Sequence, residues 1–295
     1  MRSRLSNTTE PGAPPQRRAG RNLPAAIGVG LGLFALVVVT LIWWHPGFVA
    51  LVVVMTSLGA VELHQALQRV GMTSAIIPVV IGNVVIIGGT YAAAELQQYT
   101  NIAWHVVLLG AIGGTVLVAL GWRMFGGAEG YARDSAASLF IIGYVPLLAS
   151  FVGLLLAEEH GVAKVVLVFM GIVGSDTGGY IVGSLLGKHP MAPVISPKKT
   201  WEGLAGSFLL SGLVAVIFVM TVTTWPWWVG VLLAAVVVVF GTAGDLIESM
   251  IKRDVGIKDM GSFLPGHGGV MDRLDSLLVA VPAAWVLFIL LGLGS

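Results

Sequence analysis

Apolar residues of this chain fall in long runs, and short polar stretches separate one run from the next. A run of about 20 predominantly apolar residues is long enough to cross the hydrocarbon core of a bilayer as an α-helix. The pattern therefore predicts an all-α, polytopic integral membrane protein with about nine transmembrane helices. The predicted spans are Leu23–Trp44, Gly47–Val61, Ser74–Ala94, Trp104–Trp122, Ala136–Ala157, Val162–Leu186, Leu204–Thr224, Trp227–Ile247 and Leu274–Leu293.

The first 24 residues differ from the rest, because they are rich in Arg, Pro, Ser and Thr and poor in bulky apolar residues. Such a segment cannot bury enough apolar surface to fold, so its composition predicts disorder. The apolar run that follows is longer than that of a signal peptide, and no A-x-A-like cleavage site follows it. We predict an uncleaved basic tail over residues 1–24 and one membrane domain over residues 25–295.

Basic residues are distributed asymmetrically among the predicted loops. With a cytoplasmic N-terminus, 15 of the 16 Lys and Arg residues lie in the tail or in cytoplasmic loops, and only Lys164 lies on the other side. Cytoplasmic loops of membrane proteins carry such an excess. We therefore expect a plasma-membrane protein whose polar loops Gly187–Gly203 and Asp245–Asp275 both open to the cytoplasm.

The composition excludes several classes of function. The chain is 56% hydrophobic and 11% charged, its net charge is +1, and it contains no Cys. Without Cys there are no disulfides, thiolate metal sites or cysteine nucleophiles. The motifs of serine hydrolases, zinc proteases and P-loop nucleotide-binding proteins do not occur. We expect no nucleic-acid partner.

Acidic residues cluster toward the C-terminus, where the segment Asp245–Asp275 holds 10 of the 31 charged residues. Charges in or beside a membrane usually face a polar cavity and serve a site. Asp272 and Asp275 are three residues apart and would share one face of a helix, Asp245 ends one span, and Asp176 lies within another. These four carboxylates suit a hard divalent cation, most plausibly Mg²⁺. The alternative is that each acid pairs with a neighbouring base: Lys252, Arg253 or Arg273.

Two further stretches suit phosphate groups. In Pro265-Gly266-His267-Gly268-Gly269 the glycines allow backbone amides to approach an anion closely. In Ser196-Pro197-Lys198-Lys199-Thr200 two ammonium groups and two hydroxyls lie beside the start of a span. His267 itself could be a metal ligand, a phosphate donor or a loop cap. Together with the acids, these stretches predict a site for a metal-bound polyphosphate.

Longer motifs resemble those of the phosphatidate cytidylyltransferases, also called CDP-diacylglycerol synthases. The resemblance is carried by Ser249-x-x-Lys252-Arg253, by Lys258-Asp259 and by the stretch LPGHGGVMDRLD over Leu264–Asp275. Two earlier stretches, SDTGGY over Ser175–Tyr180 and SPKKTWEG over Ser196–Gly203, are similar to the other motifs of the family. Gly179 departs from the Ala expected there, a difference too small to be expected to disturb packing. The resemblance covers roughly residues 162–295, which we take as the catalytic part.

The resemblance implies a dimeric, all-helical membrane enzyme of phospholipid biosynthesis. Its reaction converts CTP and phosphatidic acid to CDP-diacylglycerol and pyrophosphate, and it requires Mg²⁺ with a K⁺ ion nearby. The motif match implies catalytic roles for Asp245, Lys252, Asp272 and Asp275. It implies metal ligation by Asp245 and Asp272, with Asp275 and Asp176 as supporting acids. The substrate-binding residues on this basis are Ser196, Lys198, Lys199, Thr200, Ser249, Arg253, Lys258, His267, Gly268, Gly269 and Arg273.

Two other functions compete with this one. A CDP-alcohol phosphotransferase also uses clustered aspartates in a membrane, but its pattern D-G-x-x-A-R followed by G-x-x-x-D-x-x-x-D is not found in this sequence. A cation-coupled transporter would use Asp176 and Asp245 as ion ligands on broken helices. The polar motifs crowd one face and the two halves show no apparent inverted repeat, which disfavours a transporter.

Overall fold

The computed structural model describes residues 23–97, 99–261 and 268–293. Residues 1–22 of the predicted tail and His267 therefore lie outside the described residues. Helices make up almost all of the described chain. They are α1 (Leu23–Trp43), α2 (His45–Gln68), α3 (Ile76–Val84), α4 (Thr90–Leu96), α5 (Trp104–Met124), α6 (Tyr131–Ile142), α7 (Leu148–Ala157), α8 (Gly161–Leu186), α9 (Trp201–Val222), α10 (Trp227–Asp254) and α11 (Met271–Leu290).

Eight helical stretches among the described residues are long and apolar enough to cross a membrane. Two of them are composite, since the π-helical turn Val85–Gly89 joins α3 to α4 and the π-helical turn Gly143–Leu147 joins α6 to α7. Helix α1 adds a shorter apolar stretch over Gly30–Trp43. A helix thus occupies each of the nine predicted spans. The all-α fold is confirmed, and the chain is an integral membrane protein.

Two helices extend well beyond their predicted spans. Helix α2 continues past Val61 to Gln68, and α10 continues past Ile247 to Asp254. Both extensions contain polar residues, which ended the apolar runs on which the prediction relied. Glu62 and Glu248 are nevertheless buried inside the protein, at 6% and 0% exposure. These polar ends are therefore helical and not loops, and each buries one acid although Gln68, Arg253 and Asp254 are exposed.

The predicted loop Gly187–Gly203 contains a small exception to the all-α fold. Strand β1 (Pro190–Ala192) pairs with strand β2 (Ser196–Thr200) in an antiparallel ribbon. The carboxylate of Glu202, in the first turn of α9, accepts hydrogen bonds from the backbone N–H groups of Lys188 and His189, each at 3.2 Å. These bonds fix the base of the ribbon to the start of α9.

Small residues bring α8 and α9 into close contact. A Cβ atom at Gly178 would collide with the carbonyl oxygen of Gly206, so side chains larger than hydrogen are excluded there. Such small-residue contacts are a common means of packing helices within membranes. At Gly179, an Ala Cβ would lie 2.7 Å from Oγ of Ser207, a hydroxyl that donates a 2.7 Å hydrogen bond to the carbonyl of Ser175. Ala at this position would require Ser207 to move, so the substitution is less neutral than we expected.

A buried ion pair lies at the opposite end of α8 from the ribbon. Nζ of Lys164, whose side chain is fully buried, is 2.7 Å from the carboxylate of Glu158 and 5.6 Å from the ring centre of Phe288. Burial raises the pKa of Glu158, and the ammonium of Lys164 offsets part of that effect. The single basic residue that the topology assigns to the non-cytoplasmic side is thus a structural counter-ion.

Replacing Lys164 with Met is expected to destabilise the protein by about 3 kcal/mol, because the change leaves the carboxylate of Glu158 without its partner in a largely buried position. Thermal unfolding in detergent measures the loss. The loss should shrink as the pH falls through the raised pKa of Glu158, since protonation removes the unpaired charge. The double variant Lys164→Met/Glu158→Gln should recover much of the stability, and the exposed Lys188→Met is the control. Equal unfolding temperatures for Lys164→Met and wild type would contradict this account.

Candidate active site

A polar cavity of about 330 Å³ lies where α8, β2, α9, α10 and α11 meet. Helix α8 contributes Asp176, α10 contributes Asp245, and α11 contributes Ser276. The ribbon contributes four lining residues that were predicted to bind phosphate: Ser196, Lys198, Lys199 and Thr200. Acids and bases that are up to 69 residues apart in sequence therefore face one space, but Asp272 and Asp275, which the sequence grouped with them, do not line it.

Lys199 and Asp245 form an ion pair across this cavity. Nζ of Lys199 is 2.7 Å from Oδ2 of Asp245 and donates a weaker 3.4 Å hydrogen bond to the carbonyl of Thr242. On the other side, Oγ of Ser249 donates to Oδ1 of Asp245 at 3.2 Å, one helical turn along α10. Asp245 thus pairs with a base, as the alternative interpretation proposed. Its partner is a ribbon lysine, however, and none of the three bases considered.

Thr200 sets the start of α9 at the cavity wall. It is the N-cap residue, and its hydroxyl accepts a 3.1 Å hydrogen bond from the backbone N–H of Gly203. Ser and Thr are favoured at this position because they satisfy an N–H that has no partner within the helix. The SPKKTWEG motif therefore combines a strand, a helix cap and two lysines in eight residues.

Asp272 links two parts of the chain, one at Met260 and the other at Gly269. Its Oδ2 accepts hydrogen bonds from the backbone N–H groups of Met260, at 3.0 Å, and Gly269, at 2.9 Å. Its Oδ1 accepts a 2.8 Å hydrogen bond from Nζ of Lys252. Asp272 is not among the residues that line the polar cavity, so its role as a metal ligand stays a prediction.

Lys252 lies between two carboxylates. Besides Asp272, its ammonium group contacts Glu248, one turn earlier on α10, whose side chain is 1% exposed. Glu248 was not among the predicted site residues, although its spacing of four from Lys252 on a helix is a recognisable signal for such a pair. The alternative that acids pair with neighbouring bases is correct for Asp272 and Lys252.

Asp275 approaches the other acids from α11. It interacts electrostatically with Asp245 and Asp176, and its Oδ1 accepts a 2.6 Å hydrogen bond from the N–H of Ser276. A Cβ at Gly244 would collide with the backbone carbonyl of Asp275, so this glycine lets α10 and α11 approach at the level of the acids. Across residues 23–97, 99–261 and 268–293, no three His, Asp or Glu side chains are gathered closely enough to hold a metal ion.

Three further residues that were predicted to bind substrate, Arg253, Lys258 and Gly268, do not line the polar cavity. Nε of Arg253 donates a 3.3 Å hydrogen bond to the carbonyl of Ile195, which fixes the turn of the ribbon to the end of α10. Lys258 is exposed and does not line the cavity. Gly268 has a φ of +83°, a conformation that favours glycine, and it lies beside Asp272. His267 lies outside the described residues, and its role stays a prediction.

Glu62 on α2 also contributes to this region, although no sequence motif indicates it. Its Oε2 accepts a 2.9 Å hydrogen bond from the backbone N–H of Met271, the first residue of α11. A Cβ at Gly261 or Gly269 would lie within 3 Å of the Glu62 carboxylate. A negative charge at a helix N-terminus is favourable, so Glu62 stabilises the start of the helix that carries Asp272 and Asp275.

Comparison with known proteins agrees with these features. The sequence profile of the cytidylyltransferase family matches residues 24–291. A phosphatidate cytidylyltransferase of Mycobacterium bovis is 41% identical over 292 residues, which cover 93% of this chain and 90% of that protein. The protein of the same name from Mycobacterium tuberculosis is 41% identical, with 93% and 84% coverage, and that from Mycobacterium leprae is 40% identical, with 93% and 90% coverage. This chain therefore belongs to the cytidylyltransferase family.

Proposed function

We propose that this protein is a phosphatidate cytidylyltransferase. It would transfer the cytidylyl group of CTP to phosphatidic acid, with CDP-diacylglycerol and pyrophosphate as products. The observation that carries the proposal is the polar cavity that brings Asp176 and Asp245 together with Lys198 and Lys199. The names of relatives that are about 40% identical over nearly the whole chain support it.

The charges of the cavity suit a reaction between two anions. An oxygen of the lipid phosphate attacks the α-phosphorus of CTP, the bond from that phosphorus to the bridging oxygen of the β-phosphate breaks, and pyrophosphate leaves. The lipid phosphate is already an anion at neutral pH, so no strong general base is needed. The main obstacle is repulsion between the two substrates. Lys198 and Lys199 would reduce it and align the phosphates for attack.

The proposal includes Mg²⁺ bound by carboxylates in and beside the cavity. Asp176 and Asp245 line the cavity, Asp275 interacts electrostatically with both, and their oxygens are the hard ligands that this ion prefers. A bound Mg²⁺ would neutralise phosphate oxygens and stabilise the departing pyrophosphate. The Lys199 ammonium, 2.7 Å from Oδ2 of Asp245, neutralises part of this negative charge. The proposal therefore includes exchange of the Lys199–Asp245 pair for contacts with metal and phosphate. It also includes the nearby K⁺ that the family resemblance implies.

The proposed orientation follows from the distribution of basic residues. The polar cavity would open to the cytoplasm, where CTP is dissolved, while phosphatidic acid would arrive within the bilayer. The N-terminus would also be cytoplasmic, in the plasma membrane, and the family resemblance adds a homodimer. Cross-linking in native membranes tests the dimer, and protease accessibility of an N-terminal tag in sealed vesicles tests the orientation.

Synthesis of CDP-diacylglycerol by the purified protein tests the function directly. We expect radioactivity from cytidine-labelled CTP to enter a lipid product only when phosphatidic acid and Mg²⁺ are both present, with one pyrophosphate released per lipid formed. Chelation of the metal should abolish the reaction, and glycerol 3-phosphate should not replace the lipid. No labelled lipid from folded wild-type protein under these conditions would refute the proposal.

A further inference from the structure

A second cavity, of about 200 Å³, lies against α11 and is lined by α1, α2, α7, α8 and α11. Its lining side chains are apolar except for Thr56 and Arg273. We propose that this cavity binds an acyl chain of the phosphatidic acid substrate, an inference that rests on the proposed function. It assigns a place to the lipid tail, for which neither the motifs nor the polar cavity account.

The two cavities lie on different faces of the first turns of α11. Successive residues of an α-helix are about 100° apart, so Asp272, Asp275 and Ser276 share one face. Arg273 and Leu277 lie on another face. Ser276 lines the polar cavity, whereas Arg273 and Leu277 line the apolar one. A substrate with a charged head and an apolar tail could therefore contact both faces of this helix start.

Arg273 marks the junction between the two cavities. It is the one charged residue among the described residues that line the apolar cavity. It also interacts electrostatically with Asp176, which lines the polar cavity. A guanidinium group in this position complements a phosphate, and Arg pairs with phosphate oxygens through two parallel hydrogen bonds. A single charge in the lining of an otherwise apolar cavity thus matches the chemistry of a phospholipid and not that of a purely apolar ligand.

The apolar cavity also extends along the axis of α2, as a binding site for a lipid tail would. Phe48, Val52 and Met55 line it from one face of α2, and they span about 10 Å along that helix at 1.5 Å per residue. Gly59, one turn beyond Met55, packs against Met271 at the start of α11. The cavity therefore begins near the acids and continues into the apolar part of the helix bundle. Water is a poor occupant, because it would find almost no hydrogen-bond partners.

A tail bound here would position the phosphate and would add little to the driving force for binding, because a tail in the bilayer is already in apolar surroundings. Orientation of a reacting group can nevertheless contribute strongly to rate. The cavity should therefore affect long-chain substrates more than short-chain ones that do not reach into it.

Filling the cavity with Val52→Trp tests this prediction. We expect kcat/KM for dioleoyl phosphatidic acid to fall at least tenfold, while kcat/KM for the dihexanoyl lipid and KM for CTP change less than threefold. Val54→Trp is the matched control, since Val54 is 52% exposed on the same helix and does not line the cavity. Equal effects of Val52→Trp on both lipids, or none on either, would overturn the assignment.

A labelling experiment provides a second measurement that does not depend on catalysis. The chain has no Cys, so Met55→Cys and Val54→Cys each introduce a unique thiol. Dioleoyl phosphatidic acid should slow maleimide labelling of Met55→Cys severalfold and leave Val54→Cys unchanged, and glycerol 3-phosphate should protect neither. Absence of selective protection would contradict the proposal. Failure of wild type to make CDP-diacylglycerol would instead refute the proposed function.

Discussion

The variant Lys252→Met is expected to lose about three orders of magnitude in kcat for CDP-diacylglycerol formation. The ammonium of Lys252 lies between Asp272 and Glu248, whose side chains are 12% and 1% exposed. Removing one partner of such a buried charge network costs about 3–5 kcal/mol, and each 1.4 kcal/mol corresponds to roughly a tenfold change in rate. The unpaired carboxylates would repel each other and displace Asp272 from the backbone of Met260 and Gly269 that it now holds.

Two companion variants separate the electrostatic role of Lys252 from a direct role in catalysis. Lys188→Met removes an exposed lysine near the ribbon and should change kcat less than threefold. Lys252→Met/Glu248→Gln removes one of the two unpaired carboxylates, so it should regain thermal stability. If Lys252 also contacts a phosphate, activity stays low in this double variant. Recovery of both stability and activity would show that Lys252 acts only through its two carboxylates, and wild-type activity of Lys252→Met itself would refute its catalytic assignment.

The membrane helices were predictable from the sequence because the information is local. An apolar run of sufficient length must form a helix within a membrane, since its backbone groups find no other hydrogen-bond partners there. Among the described residues, the eight long apolar helical stretches and the shorter one in α1 follow from this rule. The two π-helical turns, at Val85–Gly89 and Gly143–Leu147, do not, because a single extra residue in a turn leaves hydropathy unchanged.

The helix ends were harder to predict, because they depend on contacts with residues that a local hydropathy window does not include. Glu62 and Glu248 ended the apolar runs, yet both are buried, and one carboxylate oxygen of each contacts another group of the protein. Glu62 contacts the N–H of Met271, 209 residues away, and Glu248 contacts Lys252. A hydropathy window cannot distinguish a polar residue that faces water from one that binds a distant backbone group.

Several residues that line the polar cavity were predictable from the sequence, but the contacts between them were not. The motifs identified Asp176, Asp245 and the lysines of the ribbon, and the topology placed them on one side of the membrane. The ion pair between Lys199 and Asp245 depends on how β2 packs against α10. That packing in turn depends on glycine contacts such as Gly178 with Gly206, whose partners the sequence alone does not reveal.

The N-terminal half of the chain has a larger part in the site than its lack of motifs suggests. The motifs identified in the sequence lie within residues 162–295, yet α2 contributes Glu62 to the start of α11 and five side chains to the apolar cavity. Helices α2 and α11 thus lie between the charged residues of the site and the apolar interior of the helix bundle. A fragment limited to residues 162–295 would lack both features.

Glu62→Ala is accordingly expected to lower kcat about 100-fold, although Glu62 belongs to no recognised motif. The change removes the hydrogen bond to Met271 and the negative charge at the start of α11. Loss of a charged hydrogen-bond partner and a helix cap is worth about 2–3 kcal/mol, which corresponds to roughly two orders of magnitude if it is expressed in the position of Asp272 and Asp275. Because Glu62 does not line the polar cavity, KM for CTP should change little.

Rescue by Glu62→Gln distinguishes positioning from a simple loss of stability. Glutamine keeps one carbonyl oxygen that can accept from the N–H of Met271, so it should retain kcat within about fivefold of wild type, while Glu129→Ala, at an exposed acid, should have no effect. A general loss of folded protein would lower the active fraction but leave kcat per folded molecule unchanged, which active-site titration can measure. Full activity of Glu62→Ala would show that the start of α11 holds its position without the Glu62 carboxylate.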